Sequence, residues 1–89
     1  MPNIEMYGYD DQNAFAIREQ IREVLEHSPE PGEVVITNVL SDVRDLKGNR
    51  RPFLRIIAAK AEVEEMKSRL VHLNEDIEII LLHEWIEHK

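Results

Sequence analysis

Polar and apolar residues alternate at the start of the chain: in Asn3-Ile4-Glu5-Met6-Tyr7-Gly8-Tyr9, Ile4 and Met6 fall on one face. That period of two predicts a half-buried strand, with Gly8 marking a bend near its end. Asp10-Asp11 then offers a helix start, an N-cap side chain followed by negative charge against the helix dipole. Ala14, Ile17, Ile21, Val24 and Leu25 recur at helical steps, while Arg18, Glu19, Arg22, Glu23 and Glu26 fill much of the opposite face, so this helix is amphipathic. The two prolines of Ser28-Pro29-Glu30-Pro31-Gly32 end it, because neither can donate to the helical ladder. Val34-Val35-Ile36-Thr37-Asn38-Val39-Leu40 is β-branched and mostly apolar, the pattern of a strand covered on both faces. Ser41 to Arg51 is polar, contains the turn signal Lys47-Gly48-Asn49, and is the longest loop. Phe53-Leu54-Arg55-Ile56-Ile57-Ala58 reads as a third strand. Val63, Met66, Leu70 and Leu73 define a second, shorter helix with Asn74 as its C-cap, and Ile77 to Leu82 forms a fourth, strongly apolar strand.

The resulting order, β-α-β-β-α-β, carries a repeat. Met1-Pro2-Asn3-Ile4-Glu5-Met6 stands 50 positions before Arg51-Pro52-Phe53-Leu54-Arg55-Ile56; each Pro opens a strand whose apolar residues follow two and four places later. Pro at the first residue of a strand is ordinary. Its recurrence at the same point suggests two βαβ units, about 1–40 and 51–89, related by a pseudo-two-fold axis within one domain spanning 1–89. Two α+β folds share this order. Paired βαβ units joined through their first strands give the strand order 2-1-3-4, and a ferredoxin-like sandwich gives 4-1-3-2. Both place two helices on one face of a four-stranded sheet, and both use right-handed crossovers.

Composition narrows the function. Of 89 residues, 43% are hydrophobic and 33% charged, which fits a globular domain rather than disorder. With 11 Lys+Arg against 18 Asp+Glu the net charge is −7, which argues against nucleic acid and against an anionic membrane surface as partners. No apolar run nears the length of a membrane span, and no signal peptide is evident. The absence of Cys removes disulfides, thiolate metal ligands and thiol catalysis, and makes a cytoplasmic location the expectation for so small a domain.

Met1-Pro2 running directly into an alternating strand, a βαβ unit, then Arg51-Pro52 and a second βαβ unit resembles the double-unit members of the tautomerase superfamily. The resemblance covers nearly the whole chain in element order, and its local motif is Met1-Pro2. It implies a four-stranded mixed sheet with two helices on one face, no cofactor, and keto–enol isomerisation of a small carbonyl or keto-acid substrate. It further implies removal of Met1, so that the Pro2 nitrogen becomes a free secondary amine acting as general base in a low-dielectric pocket. The bland reading of Pro2 is a strand-start residue. Members acting on keto acids use Arg or Lys to hold the carboxylate and polarise the enol oxygen. The matching stretches, near Gln12 and from Glu30 to Val34, contain neither. The resemblance then leaves Lys60, after the third strand, or a neighbouring subunit as the source of substrate-binding cations. Arg50, Arg51 and Arg55 belong to the far end from Pro2 and read as solvated charges paired with Asp42 or Asp45.

Tyr9, Trp85 and Ile86 lie beyond the ends of apparent strands and would expose an apolar patch on a monomer. In the superfamily resembled, sheets meet edge to edge about a three-fold axis, which makes a homotrimer the expectation. His83-Glu84-Trp85-Ile86-Glu87-His88 departs from the zinc motif at its fifth position, so no metal site is expected there. His27 and His72 sit near helix ends, where a cationic His suits the dipole. Scattered aromatics and three isolated Gly residues build neither a base-stacking platform nor a phosphate loop. The competing function is a non-catalytic domain of the same or of ferredoxin-like fold that binds a ligand or protein partner.

Overall fold

Alternation along the first strand decides which side of the sheet the helices cover. The computed structural model describes residues 2–26 and 34–82. Its elements are β1 (Asn3–Tyr7), α1 (Asp11–Leu25), β2 (Val35–Val39), β3 (Phe53–Ala58), α2 (Lys60–Leu70) and β4 (Ile77–Leu81). The sheet order is β2-β1-β3-β4, with β1 parallel to β2, antiparallel to β3, and β3 parallel to β4. This is the paired-unit arrangement; the ferredoxin-like order is not formed. Ile4, Met6, Leu54, Ile56 and Ala58 point to the helix-covered face and are buried, meeting Ala14, Ile21 and Leu25 of α1 and Val63, Met66 and Leu70 of α2. The six largest of the fully buried side chains, Ile4, Met6, Ile21, Leu54, Ile56 and Leu70, each contribute about 1.5–3 kcal/mol.

The caps follow the local chemistry. The Asp10 carboxylate accepts from the Asn13 backbone N–H at 2.8 Å and starts α1 as expected. Asn74 does more than end a helix. Val71 occupies the C-cap of α2, whereas the Asn74 side chain donates to the Tyr9 hydroxyl at 2.7 Å and the Pro52 carbonyl at 2.9 Å. That tie corrects the expected exposure of Tyr9, which is only 9% exposed. The positive φ of Gly8 (+81°) turns the chain after β1, and the Tyr9 hydroxyl has its partner in Asn74. Trp85 and Ile86, the other members of the expected patch, lie outside the described residues.

A second correction concerns β2. Its apolar run predicted cover on both faces, yet Val35 is 45% exposed, because β2 is an edge strand and the helices cover one face only. β4 is the opposite edge, with Ile80 at 40% and Leu81 at 42% exposed.

The helix-free face holds the join between the two units. Glu5 and Arg55, 50 residues apart, are cross-strand partners, so the sequence repeat and the strand register share one pseudo-two-fold axis. Arg55 donates to the Tyr7 hydroxyl at 2.8 Å and the Glu5 carboxylate at 3.4 Å, and its other terminal nitrogen lies 3.2 Å from Glu78. Its guanidinium also sits 4.7 Å from the centre of the Tyr7 ring, which stacks on Phe53 at 4.8 Å. Arg55 is therefore no loop charge, contrary to the sequence expectation. Arg51 does pair with Asp45 at 3.0 Å, and Arg50 lies 3.8 Å from Asp10. Asp45 also accepts backbone N–H bonds from Asn49 and Lys47, and these, with that of Asn49 foremost, hold its carboxyl below the usual range.

Two glycines give a controlled comparison. Gly8 and Gly48 both have positive φ, but a Cβ at Gly8 would stand 3.1 Å from the Pro52 Cα and 3.2 Å from the Val43 Cβ, while one at Gly48 meets nothing within 4 Å. Gly48→Ala is expected to cost about 1 kcal/mol from backbone strain, and Gly8→Ala distinctly more, about 2–3 kcal/mol, in urea denaturation. A double-mutant cycle with Glu5→Gln and Arg55→Met is expected to return a coupling of about 1 kcal/mol, since the pair is mostly shielded from solvent. Additivity would show that the axis pair is idle.

Candidate functional site

Strand direction sorts the sheet into two ends. Asn3 lies opposite both Val35 and Ile57, so the starts of β1 and β2 share an end with the finish of β3. α1 finishes and α2 begins at that same end. Pro2 opens it: the residue is buried, on the helix-covered side with Ile4 and Met6, and its carbonyl accepts the Val35 N–H at 3.0 Å. Val35 is thereby the first residue tied to β1, which is the strand-start role a proline performs without a donor. In the chain as written, Met1 acylates the Pro2 nitrogen; basicity at that atom requires its removal.

Lys60 is the exposed first residue of α2. Continuing the antiparallel register by one step sets Pro2 beside Ala58, two residues before Lys60, so both expected site residues occupy one end of the sheet. Of the other described cations, Arg22, in the last turn of α1, shares that end, and the rest lie elsewhere. Arg44, Lys47, Arg50 and Arg51 belong to the β2–β3 loop at the opposite end, and Arg55 is committed to the helix-free face. Arg18 and Arg22 are exposed on α1, Arg22 pairing with Glu19 at 2.9 Å, and Lys67 and Arg69 stand late in α2. Gln12 stands in the first turn of α1, at the end remote from Pro2. Of the other stretch to which the resemblance points for a cation, residues 30–33 lie outside the described residues and Val34 is half-buried.

The helix-free cluster is the grouping that sequence reasoning missed. A signal existed, since a repeat offset of 50 sets Glu5 opposite Arg55 once the first strands are paired. Its chemistry is structural rather than acid–base. Donation of the Tyr7 hydroxyl to Glu5 raises the phenol above its ordinary value, so it stays protonated at neutral pH. The Tyr9 phenol is raised chiefly by burial. Both side chains are fixed hydrogen-bonding groups, not bases.

No group of three His, Asp or Glu residues able to hold a metal occurs among the described residues. His72 is exposed beyond α2, whereas His27 and the segment 83–88 lie outside the described residues. No helix among the described residues is long and apolar enough to cross a membrane.

No protein-family model and no curated sequence matches the chain. Solved structures do. A macrophage migration inhibitory factor-like protein from Entamoeba histolytica aligns over 90% of this chain and 85% of its own, with TM-score 0.59 and 13% identity. Leishmania major MIF2 aligns over 92% of this chain and 87% of its own, with TM-score 0.51 and 14% identity. A fused 4-OT wild-type symmetric trimer aligns over 91% of this chain and 84% of its own, with TM-score 0.51 and 15% identity. These proteins belong to the tautomerase superfamily, and the likeness extends through both βαβ units. The chain has the tautomerase-superfamily fold.

Proposed function

We propose that this protein, with Met1 removed, is a cofactor-independent keto–enol isomerase whose general base is the Pro2 nitrogen. The observation that carries the reading is a buried proline opening the central strand of a tautomerase-like sheet, with Lys60 at the same end. Burial disfavours the charged ammonium, which lowers the pKa of a secondary amine and frees its lone pair near neutral pH. That lone pair takes the proton from the carbon next to a substrate carbonyl; the C–H electrons form the C=C bond of the enol, and the carbonyl oxygen gains a proton from water. Lys60 stabilises the negative charge developing on that oxygen. The hydroxide left by that water takes the proton from the Pro2 ammonium, which restores the base and completes the turnover with no change of oxidation state.

The same reading makes the protein a homotrimer in the cytoplasm. Support for the trimer comes from apolar β2 and β4 edges that nothing among the described residues covers, and from the symmetric trimer among the similar structures. Support for the compartment is the lack of Cys. The competing reading, a non-catalytic domain, draws on the scarcity of cations at the Pro2 end.

Deuterium exchange at the carbon next to a carbonyl, followed by NMR, separates the two. The mature form is expected to accelerate exchange about 10²–10⁴-fold over buffer, and a form extended by one Ala before Pro2 to lose that acceleration while keeping its fold. Equal rates in both forms would leave the non-catalytic reading. Lys60→Ala is expected to lower the catalysed rate about tenfold or more, with partial recovery in Lys60→Arg. Light scattering is expected to give three times the chain mass of 10.5 kDa; a monomer would contradict the trimer.

A further inference from the structure

We infer that the backbone N–H of Val35 is a positioning group for the Pro2 base, and that the Asn3–Thr37 side-chain bond keeps that N–H in place; this rests on the Pro2 reading above. A general base works only when its lone pair is aimed at the proton it takes, and a misplacement of about 1 Å can cost about 10²-fold in rate. A base at the first residue of a chain is badly placed for such aim, because chain ends fray unless something ties them down.

Once Met1 is gone, two backbone torsions stand between the body of β1 and the Pro2 nitrogen. The φ of Asn3 swings the plane of the Pro2–Asn3 peptide, and the ψ of Pro2 swings the pyrrolidine ring about that plane. Burial of Pro2 restrains the second. Val35 restrains the first, since its N–H donates to the Pro2 carbonyl at 3.0 Å. The ring holds its nitrogen at a fixed angle to the Cα–C bond, so with both torsions set the nitrogen has one place.

That donor is only as steady as the start of β2. Val35 is the first residue of this strand, which lies at the sheet edge and is paired with β1. A side-chain bond reinforces the register at this point: the Thr37 hydroxyl donates to Asn3 Oδ1 at 3.2 Å on the helix-free face. Asn3 stands opposite Val35, and Thr37 is two residues further along β2. One bond thus ties the carbonyl of the base to β2, and the other ties the next residue to the same strand. A slip of β2 along β1 breaks both.

The test compares the full Met1-free chain with the same chain made by chemical ligation with an ester in place of the Val34–Val35 amide, which deletes this N–H and keeps every side chain. The probe is 2-oxobutanoate or its methyl ester, whichever the natural chain exchanges faster. The ester form is expected to lose about tenfold or more in kcat with KM unchanged within about twofold, because aim and not binding is lost. An unchanged kcat in a folded ester form would overturn the inference and leave Pro2 as the base. Thr37→Val keeps the β-branched shape without the hydroxyl, and decides the matter whether or not the ester form folds. It is expected to speed amide hydrogen exchange at Val35 about threefold to tenfold and to lower kcat, with both restored in Thr37→Ser. Unchanged protection at Val35, or faster exchange there with kcat unmoved, would overturn the inference. No acceleration by the natural chain, or acceleration that survives one Ala added before Pro2, would overturn the Pro2 reading and this inference with it.

Discussion

The antiparallel pairing of β1 with β3 is the constraint from which the rest of the molecule follows. Because the two first strands lie back to back, each unit's second strand must take an outer position, and the order β2-β1-β3-β4 results. Right-handed crossovers then bring α1 and α2 to one face, over Ile4, Met6, Leu54 and Ile56. The opposite face stays bare. At its centre, on the pseudo-two-fold axis, the largest polar side chain of β3 meets an acid from β1: Arg55 satisfies Glu5 and Tyr7 and covers the Tyr7 ring. A charge in so shielded a position is tolerable because carboxylates on both neighbouring strands face it.

The same pairing sets the chemistry apart from the framework. Antiparallel first strands send Pro2 and the start of α2 to one end, and Pro52 with the Tyr9–Asn74 tie to the other. The pseudo-symmetric partner of Pro2 is thus a structural proline, Pro52, fixed by a hydrogen bond to its carbonyl.

Element order was legible from periodicity, since Ala14, Ile17, Ile21 and Leu25 can share a face only in a helix, and Ile4 and Met6 only in a strand. Strand order was not, because both candidate folds use the same succession of elements; the Pro2–Pro52 repeat was the one pointer, and it proved to coincide with the strand register. Two residues and one strand were misread for a common reason, that local pattern does not report non-local partners. Tyr9 seemed exposed because Asn74 is 65 residues away, Arg55 seemed solvated because Glu5 is 50 away, and β2 seemed fully covered because its apolar run does not say which molecule would cover it. For the candidate site, Pro2 and Lys60 could be named from sequence, but their shared end of the sheet rested on the register of β1 against β3.

The most direct measurement is the intact mass of untagged protein before and after an electrophile that alkylates neutral secondary amines at pH 7. Loss of Met1 and a single adduct mapped to Pro2 is the predicted result, since burial disfavours the charged form of an amine. A retained Met1, or a free Pro2 amine that takes no adduct because it stays protonated, would contradict the account: the fold would stand, and its Pro2 end would have no base.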